Sequence, residues 1–210
     1  MDDLVKMTVE NTDKSVEKYL IGREDPAIVI DHLELFVEEL VHNPFHTNWV
    51  LDLGCGHGRD CWYLENHGFR PVGIDLSEKM LEVAKKRCGR SVLLNMDMRK
   101  IDKIPWQFDG VWSSASFYHI PKKQGYSVIC KIQRVLKQKG ILYLSVKQGE
   151  GEKILGRPEI GVSKFYSLYN EREIVELIEK AGFEVFKVVV RGWLDKKNED
   201  VWINVFARKK

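Results

Sequence analysis

The fold class this 210-residue chain predicts is α/β, with a mostly parallel sheet covered by helices on both faces. Three observations predict it. Short apolar runs alternate with helical patterns from about residue 48 onward. A glycine-rich turn, "LGCGHG", follows the first of these runs directly. The last two apolar runs follow one another across a short polar link, most simply as an antiparallel pair.

Taken in order, "NWVLDL" reads as the first buried strand, and a helix from about Arg59 to Asn66 stops at Gly68. "FRPVGID" is the second strand, after which Ser77 caps a helix carrying Met80, Leu81 and Ala84. "SVLLNMD" and "FDGVWSS" are the third and fourth strands. Tyr126, Ile129, Ile132, Val135 and Leu136 form a helical stripe expected to stop at Gly140, before the fifth strand "ILYLSVK". Residues 147–165 hold four glycines without a clear period and read as a long loop of the lid or binding kind. Asn170 with Glu173 resembles a capping box for a helix through Ala181. "FEVFKVVVRGW" and "DVWINVFARK" are the closing strand pair, joined by the polar "LDKKNE". Residues 1–47 lack strand signals and predict one or two helices across an edge or mouth of the sheet.

Length favours one domain over residues 1–210: an N-terminal helical cap (1–47), a core (48–146), and a loop, helix and strand pair (147–210). With 44% hydrophobic and 30% charged residues the composition is that of a soluble globular protein. The net charge is only +2, and the basic clusters are scattered. Lys85–Arg87 and Lys137–Lys139 fall where helices should end, so they read as dipole complements, and a nucleic-acid partner is not indicated. Cys55, Cys61, Cys88 and Cys130 lack metal-ligand spacing, so no metal is expected. No apolar run approaches the roughly 20 residues of a membrane helix, and the polar first residues do not read as a signal peptide. A cytoplasmic protein with reduced thiols is the expectation; its oligomeric state is left open.

The glycine turn expects a cofactor. Gly54, Gly56 and Gly58 give a GxGxG spacing rather than the GxGxxG of dinucleotide sites. Asp75, at the end of the second strand, suits a ribose in either case. Asp52 separates the two readings, because a carboxylate beside the turn would repel a pyrophosphate and attract an ammonium or sulfonium group. S-adenosylmethionine carries both cations.

At these residues the chain resembles the class I S-adenosylmethionine-dependent methyltransferases. The resemblance rests on "VLDLGCGHG", "VGIDLSEKML", "NMDMRKI", "FDGVWSSASFYHIP" and "RVLKQKGILYLSV", and continues through "YSLYNEREIVELIEKAGFEV" and the closing strands, from 48 to 208. It implies a Rossmann-like three-layer α/β/α sandwich, its seven-stranded, mostly parallel sheet carrying one antiparallel strand. It also implies S-adenosylmethionine as methyl donor and S-adenosylhomocysteine as product. Asp52, Gly54, Cys55 and Gly56 would line the methionine end. Asp75 would hold the ribose, and Leu76 would lie against the adenine. Asp97 would accept from its amino group, or only cap a turn, and Met98 would cover the ring or serve as plain core. Ser113 and Ser114 would sit beside the cofactor. Arg59 and Asp60 read as helix-start residues, and His57 as a variable loop position.

Methyl transfer is mainly a matter of aligning the acceptor, so no catalytic motif is obligatory. His119 and Tyr118 in "SFYHIP" are the candidates for proton transfer, or else shape the pocket, while Tyr19, Tyr166 and Tyr169 are candidates to close over the acceptor. "HNPFH" (42–46) is set aside as a nucleic-acid methylation motif, since it does not follow the fourth strand. A small-molecule acceptor is the leading expectation. RNA- or protein-directed methylation, a non-catalytic S-adenosylmethionine-binding protein and, more distantly, a nicotinamide dehydrogenase are the alternatives.

Overall fold

The computed structural model describes residues 3–21, 29–43, 46–157, 161–192 and 200–210. The polar link 194–199 and Pro44 of the His42–His46 stretch lie outside them. The sheet strands are β1 (Trp49–Leu53), β2 (Arg70–Asp75), β3 (Val92–Asn95), β4 (Phe108–Ser113), β5 (Leu136–Lys147), β8 (Phe183–Gly192) and β9 (Val201–Lys209). Among the described residues they form a seven-stranded sheet in the order β3-β2-β1-β4-β5-β9-β8. β9 pairs antiparallel with both β5 and β8, and the other pairings are parallel.

The alternation of side chains along the central strands builds two cores. Leu51, Leu53, Val111, Leu142, Leu144 and Val205 face one side, where α6 (Lys122–Val135) and α7 (Glu171–Lys180) supply Val128, Ile129, Ile132, Ile174 and Ile178. Val50, Trp112, Ile141, Tyr143 and Phe206 face the other, covered by Leu33, Phe36 and Leu40 of α3 (Ile30–Val41) and by Leu64 of α4 (Arg59–Asn66). Burial on both faces is why these strands read as nearly continuous apolar runs.

The N-terminal segment forms three helices, one or two more than expected: α1 (Asp3–Lys14), α2 (Val16–Leu20) and α3. α3 packs on the sheet, whereas α1 crosses its mouth. Ser77 does cap α5 (Glu78–Arg87), accepting from the Met80 amide at 3.1 Å. Asn170 caps α7 by accepting from the Glu173 amide at 2.9 Å. The reciprocal half of that capping box is absent, because the Glu173 carboxylate turns to Lys122 at 2.7 Å.

Two expectations are corrected. Residues 147–165 include strands rather than only loop: β6 (Glu152–Arg157) pairs antiparallel with β7 (Val162–Ser167) in a separate two-stranded sheet. The described residues of β6 are mostly exposed and β7 is buried at four consecutive positions, Lys164–Ser167, so neither shows a period of two. The α6 stripe ends at Val135, not Gly140, and Tyr126 is exposed. Leu136 is already extended, fully buried and paired with Phe108. Lys137–Lys139 therefore lie in a kink of β5 rather than at a helix end, with Lys139 at φ 63°.

That kink is held by Asp109, whose buried carboxylate accepts from the Thr47 amide (2.9 Å), the Thr47 hydroxyl (3.0 Å) and the Trp49 amide (2.9 Å), and from Lys137 Nζ (2.9 Å). It joins the entry of β1 to β4 and β5. Replacing Asp109 by Ala leaves these donors without their partner and should cost about 3–5 kcal/mol. Urea denaturation measures this, and a loss below about 1 kcal/mol would contradict the role.

Candidate active site

β1 delivers the chain to the C-terminal edge of the sheet, beside the β1–β4 crossover where open α/β sheets bind ligands. The turn into α4 runs through Gly54, Gly56 and Gly58 at φ of 75°, 51° and 76°, a region that side chains other than glycine's seldom adopt. A Cβ on Gly54 would lie 2.4 Å from the Ser116 Cβ, whereas one on Gly56 would meet nothing within 4 Å. Gly54 is thus required by the protein's own packing, and Gly56 by its backbone conformation beside open space.

Asp75 shapes this turn. One carboxylate oxygen accepts from the Gly56 amide at 2.9 Å and the other from the Ser77 amide at 2.8 Å. Burial pushes the Asp75 carboxyl up, against the lowering effect of these two amides. An ionised carboxylate has about four acceptor positions, more than these two amides use.

Two cavities meet at the turn, each with about 840 Å³ of space including its mouth. The first is lined by Asp75, Leu76, Asp97, Met98, Ser116 and His119, and roofed by Val5, Thr8, Val9 and Thr12 of α1. The second is lined by Cys55, His57, Arg59, Asp60 and Ser114, with His32, Tyr143, Arg191 and Asn204 behind them. Tyr19, Gly54, Gly56 and Ala115 border both.

The predicted residues divide accordingly. Gly54, Gly56, Asp75, Leu76, Asp97, Met98 and His119 reach the first cavity, Cys55 and Ser114 reach the second, and Tyr19 stands between them. Asp52 and Ser113 line neither. Asp52 is buried on β1 and accepts from the Cys61 thiol at 3.2 Å; burial and the nearby Asp60 push its carboxyl well up. The anion at the wall is instead Asp60. Burial alone would raise its carboxyl, but Arg59, at 2.6 Å, and the Trp112 indole, at 2.8 Å, hold it below the ordinary value. Arg59 and Asp60 are therefore cavity residues as well as the start of α4. His57 is buried, its ring 6.4 Å from that of Tyr19, rather than a free loop position.

Asp97 caps the 3-10 helix Met98–Lys103 through the Arg99 amide (2.9 Å) and is clasped by the Arg99 guanidinium (2.9 and 3.0 Å), which outweighs burial and keeps its carboxyl low. Tyr118, Tyr166 and Tyr169 line neither cavity. They are buried behind the wall, with Tyr118 stacked on Tyr166 at 5.3 Å and Lys122 over the Tyr169 ring. His119 Nδ1 lies 2.6 Å from the Phe165 carbonyl oxygen. A carbonyl only accepts, so Nδ1 carries the proton and the lone pair of the neutral ring is on Nε2. Among the described residues, no group of three or more His, Cys, Asp or Glu side chains is placed to hold a metal ion. No helix among them is long and apolar enough to cross a membrane.

A family model described as "Methyltransferase domain" matches residues 50–140, the stretch from β1 through the fourth strand to the β5 kink. Residues 50–140 thus match a methyltransferase domain, which with the fold supports the resemblance to the class I S-adenosylmethionine-dependent methyltransferases. It is 33% identical over 129 residues to a putative methyltransferase, YqeM, of Bacillus subtilis, covering 53% of this chain and 52% of that protein. It is 34% identical over 123 residues to a ubiquinone biosynthesis O-methyltransferase of Dechloromonas aromatica, covering 49% and 50%. The chain thus spans about half the length of these curated relatives. In fold it is similar to magnesium protoporphyrin IX methyltransferase from Synechocystis PCC 6803 (TM-score 0.71, 16% identity, 100% of this chain and 98% of that one). The 1,6-didemethyltoxoflavin-N1-methyltransferase of Burkholderia thailandensis is comparable (TM-score 0.67, 21% identity, 96% and 88%).

His32 carries no sequence signal of its own, being one polar residue on the apolar face of α3. It is 4% exposed, and burial, helped by Arg191, pushes its imidazole down to about 4 from 6.5. Unfolding therefore takes up a proton between those values, and stability falls as pH drops from about 6.5 to about 4, by up to about 3 kcal/mol. Urea denaturation at pH 7 and pH 4.5 should show a smaller acid loss for His32→Leu than for wild type. Equal losses would contradict the assignment.

Proposed function

We propose that the methyltransferase domain transfers a methyl group from S-adenosylmethionine to a small-molecule acceptor. The observation that carries this reading is the open space over Gly56, directly below Asp75, where the two cavities join. The first cavity suits a nucleoside: Asp75 has acceptor positions left for a ribose diol, and Leu76 and Met98 offer apolar surface to a base. The glycine turn suits an amino-acid tail, and the Arg59–Asp60 pair behind it matches the opposite charges of a zwitterion. Asp97 would contribute mainly by holding Arg99 and the Met98 backbone. When bound, the cofactor supplies an electrophilic methyl on a sulfonium sulfur that leaves as a neutral thioether.

The chain's own residues would then orient and enclose. Ser114 and Ala115, beyond β4, face the junction where an acceptor would meet the methyl. α1 roofs the first cavity and so encloses the part of the site suited to the nucleoside. Tyr19, bordering both cavities, is placed to contact the acceptor.

The test supplies labelled S-adenosylmethionine to the protein with fractionated cell extract. Label in low-mass species is expected; label confined to RNA or protein would overturn the acceptor class, and none at all would overturn the activity. A second prediction concerns Asp75. Loss of charge-assisted hydrogen bonds worth about 1.5–3 kcal/mol should weaken S-adenosylhomocysteine binding by about 10- to 100-fold in Asp75→Ala. Calorimetric titration checks it, and unchanged affinity would remove Asp75 from the ribose site.

A further inference from the structure

Three of the four cysteines meet behind the glycine turn. Cys55 of the turn, Cys61 of α4 and Cys88 at the end of α5 share one buried cluster with Leu81 and Leu93, whereas Cys130 lies on α6. Cys61 is the middle member. Its thiol is within hydrogen-bonding reach of both Cys55 and Cys88, and it donates to the Asp52 carboxyl at 3.2 Å. The Cys88 thiol donates to the Gly58 carbonyl at 3.3 Å, and a Cβ on Gly58 would come within 2.7 Å of the Cys88 sulfur. A Cβ on Gly73 would likewise come within 2.8 Å of the Cys55 sulfur. The sulfurs therefore fill the space directly under the turn, and glycines on both sides make room for them.

We propose that Cys61 and Cys88 are a thiol pair oxidised by peroxide, and that their disulfide displaces the glycine turn and weakens cofactor binding. The second half of this rests on the methyl-transfer reading above; the first half does not. A buried cysteine is ordinarily a small apolar residue, but Cys88 keeps some exposure, at 8%, while Cys61 has none. The contact with Cys61, with Ser91 and Arg87 beside it, holds the Cys88 thiol below its ordinary value against burial and Glu65. Contact with Cys61 would lower the Cys55 thiol too, but burial and the nearby Asp52 and Asp75 push it up to about 11. Cys88 is thus the member that supplies a thiolate to an oxidant, and Cys61 is the sulfur at hand to resolve it.

In the step, the Cys88 sulfur attacks one oxygen of hydrogen peroxide. The O–O bond breaks, hydroxide leaves and takes up the thiol proton as water, and Cys88 becomes a sulfenic acid. The Cys61 sulfur then attacks the Cys88 sulfur and expels hydroxide, which takes the Cys61 proton as a second water. Two thiols lose two electrons in all, and one peroxide gains them. The new bond, about 2.05 Å long, closes what is now a non-bonded contact. Closing it draws the Cys88 sulfur from the Gly58 carbonyl and the Cys61 sulfur from Asp52. Gly58 is the N-cap of α4 at φ 76°, and Gly56 just before it gives its amide to Asp75. The displacement therefore falls on the turn that Asp75 holds.

The test treats the reduced full chain with hydrogen peroxide, alkylates it in denaturant and maps its cysteines by mass spectrometry. The expected product is a Cys61–Cys88 disulfide, with Cys55 and Cys130 alkylated, that a thiol reductant reverses. A Cys55–Cys61 link, a link through Cys130, or no link at all would overturn the pair, and this reading needs no variant. Calorimetric titration then compares S-adenosylhomocysteine binding before and after oxidation. Oxidation should weaken it by about tenfold or more, the effect of losing one hydrogen bond to a charged group. Cys88→Ser, with Cys61→Ser as the second variant, should bind within about threefold of wild type when reduced and should not respond to peroxide. Linked protein of unchanged affinity would overturn the coupling to the turn. A loss as large in Cys88→Ser as in wild type would place the effect on other residues, and overturns it equally. A reduced wild-type chain that forms the link yet never binds S-adenosylhomocysteine would overturn the cofactor reading and the coupling together, with the thiol pair upheld by its mass.

Discussion

The Asp75 carboxylate is the tie on which the site depends. Its two oxygens hold the Gly56 amide and the Ser77 amide, so the turn after β1 and the start of α5 cannot move apart without breaking a charge-assisted bond. That constraint keeps the glycine turn in its left-handed course and opens the space over Gly56. It also explains why a buried carboxyl with a raised proton affinity remains useful: backbone amides favour its charged form, and Asp75 lines the cavity.

Around this tie the structure closes from two directions. α1 roofs the first cavity and is fastened from its middle to its C-terminal end, through Asp13 to Ser77 Oγ and through Thr8 and Asn11 to the backbone of β7. The β6–β7 pair holds the His119 segment from the other side. Roof, strand pair and glycine turn therefore meet at shared residues, notably Ser77 and the backbone of Phe165. A substitution that loosens the roof should be felt at His119, although neither lies on the same element.

Much of this was legible in the sequence because the signals are local. The period-two and helical patterns, the Ser77 and Asn170 caps and the order of glycine turn, Asp75 and Met98 each depend on neighbours within a few residues. What was not legible depends on residues far apart. β6 and β7 show no period because β6 is mostly exposed while β7 is buried at successive residues, Tyr166 among them packing on Tyr118 of the 3-10 helix. Asp52 read as the cation-facing acid from its place before Gly54, but its neighbour on the fold is the Cys61 thiol, and the wall position falls to Asp60. Asp60 gave no signal because an acid at a helix start is ordinary, and only the distant Trp112 marks it as a buried site. Tyr166 and Tyr169 illustrate the reverse error, since aromatic residues near a predicted loop look like lid residues until their burial is known.

The central claim is that the junction of the two cavities binds the amino-acid nucleoside and not a dinucleotide. Calorimetric titration of the folded chain with S-adenosylhomocysteine, repeated in the presence of NADH, tests it most directly. The account predicts saturable one-to-one binding that NADH does not weaken. Absence of binding heat in folded protein, or displacement by NADH, would contradict it.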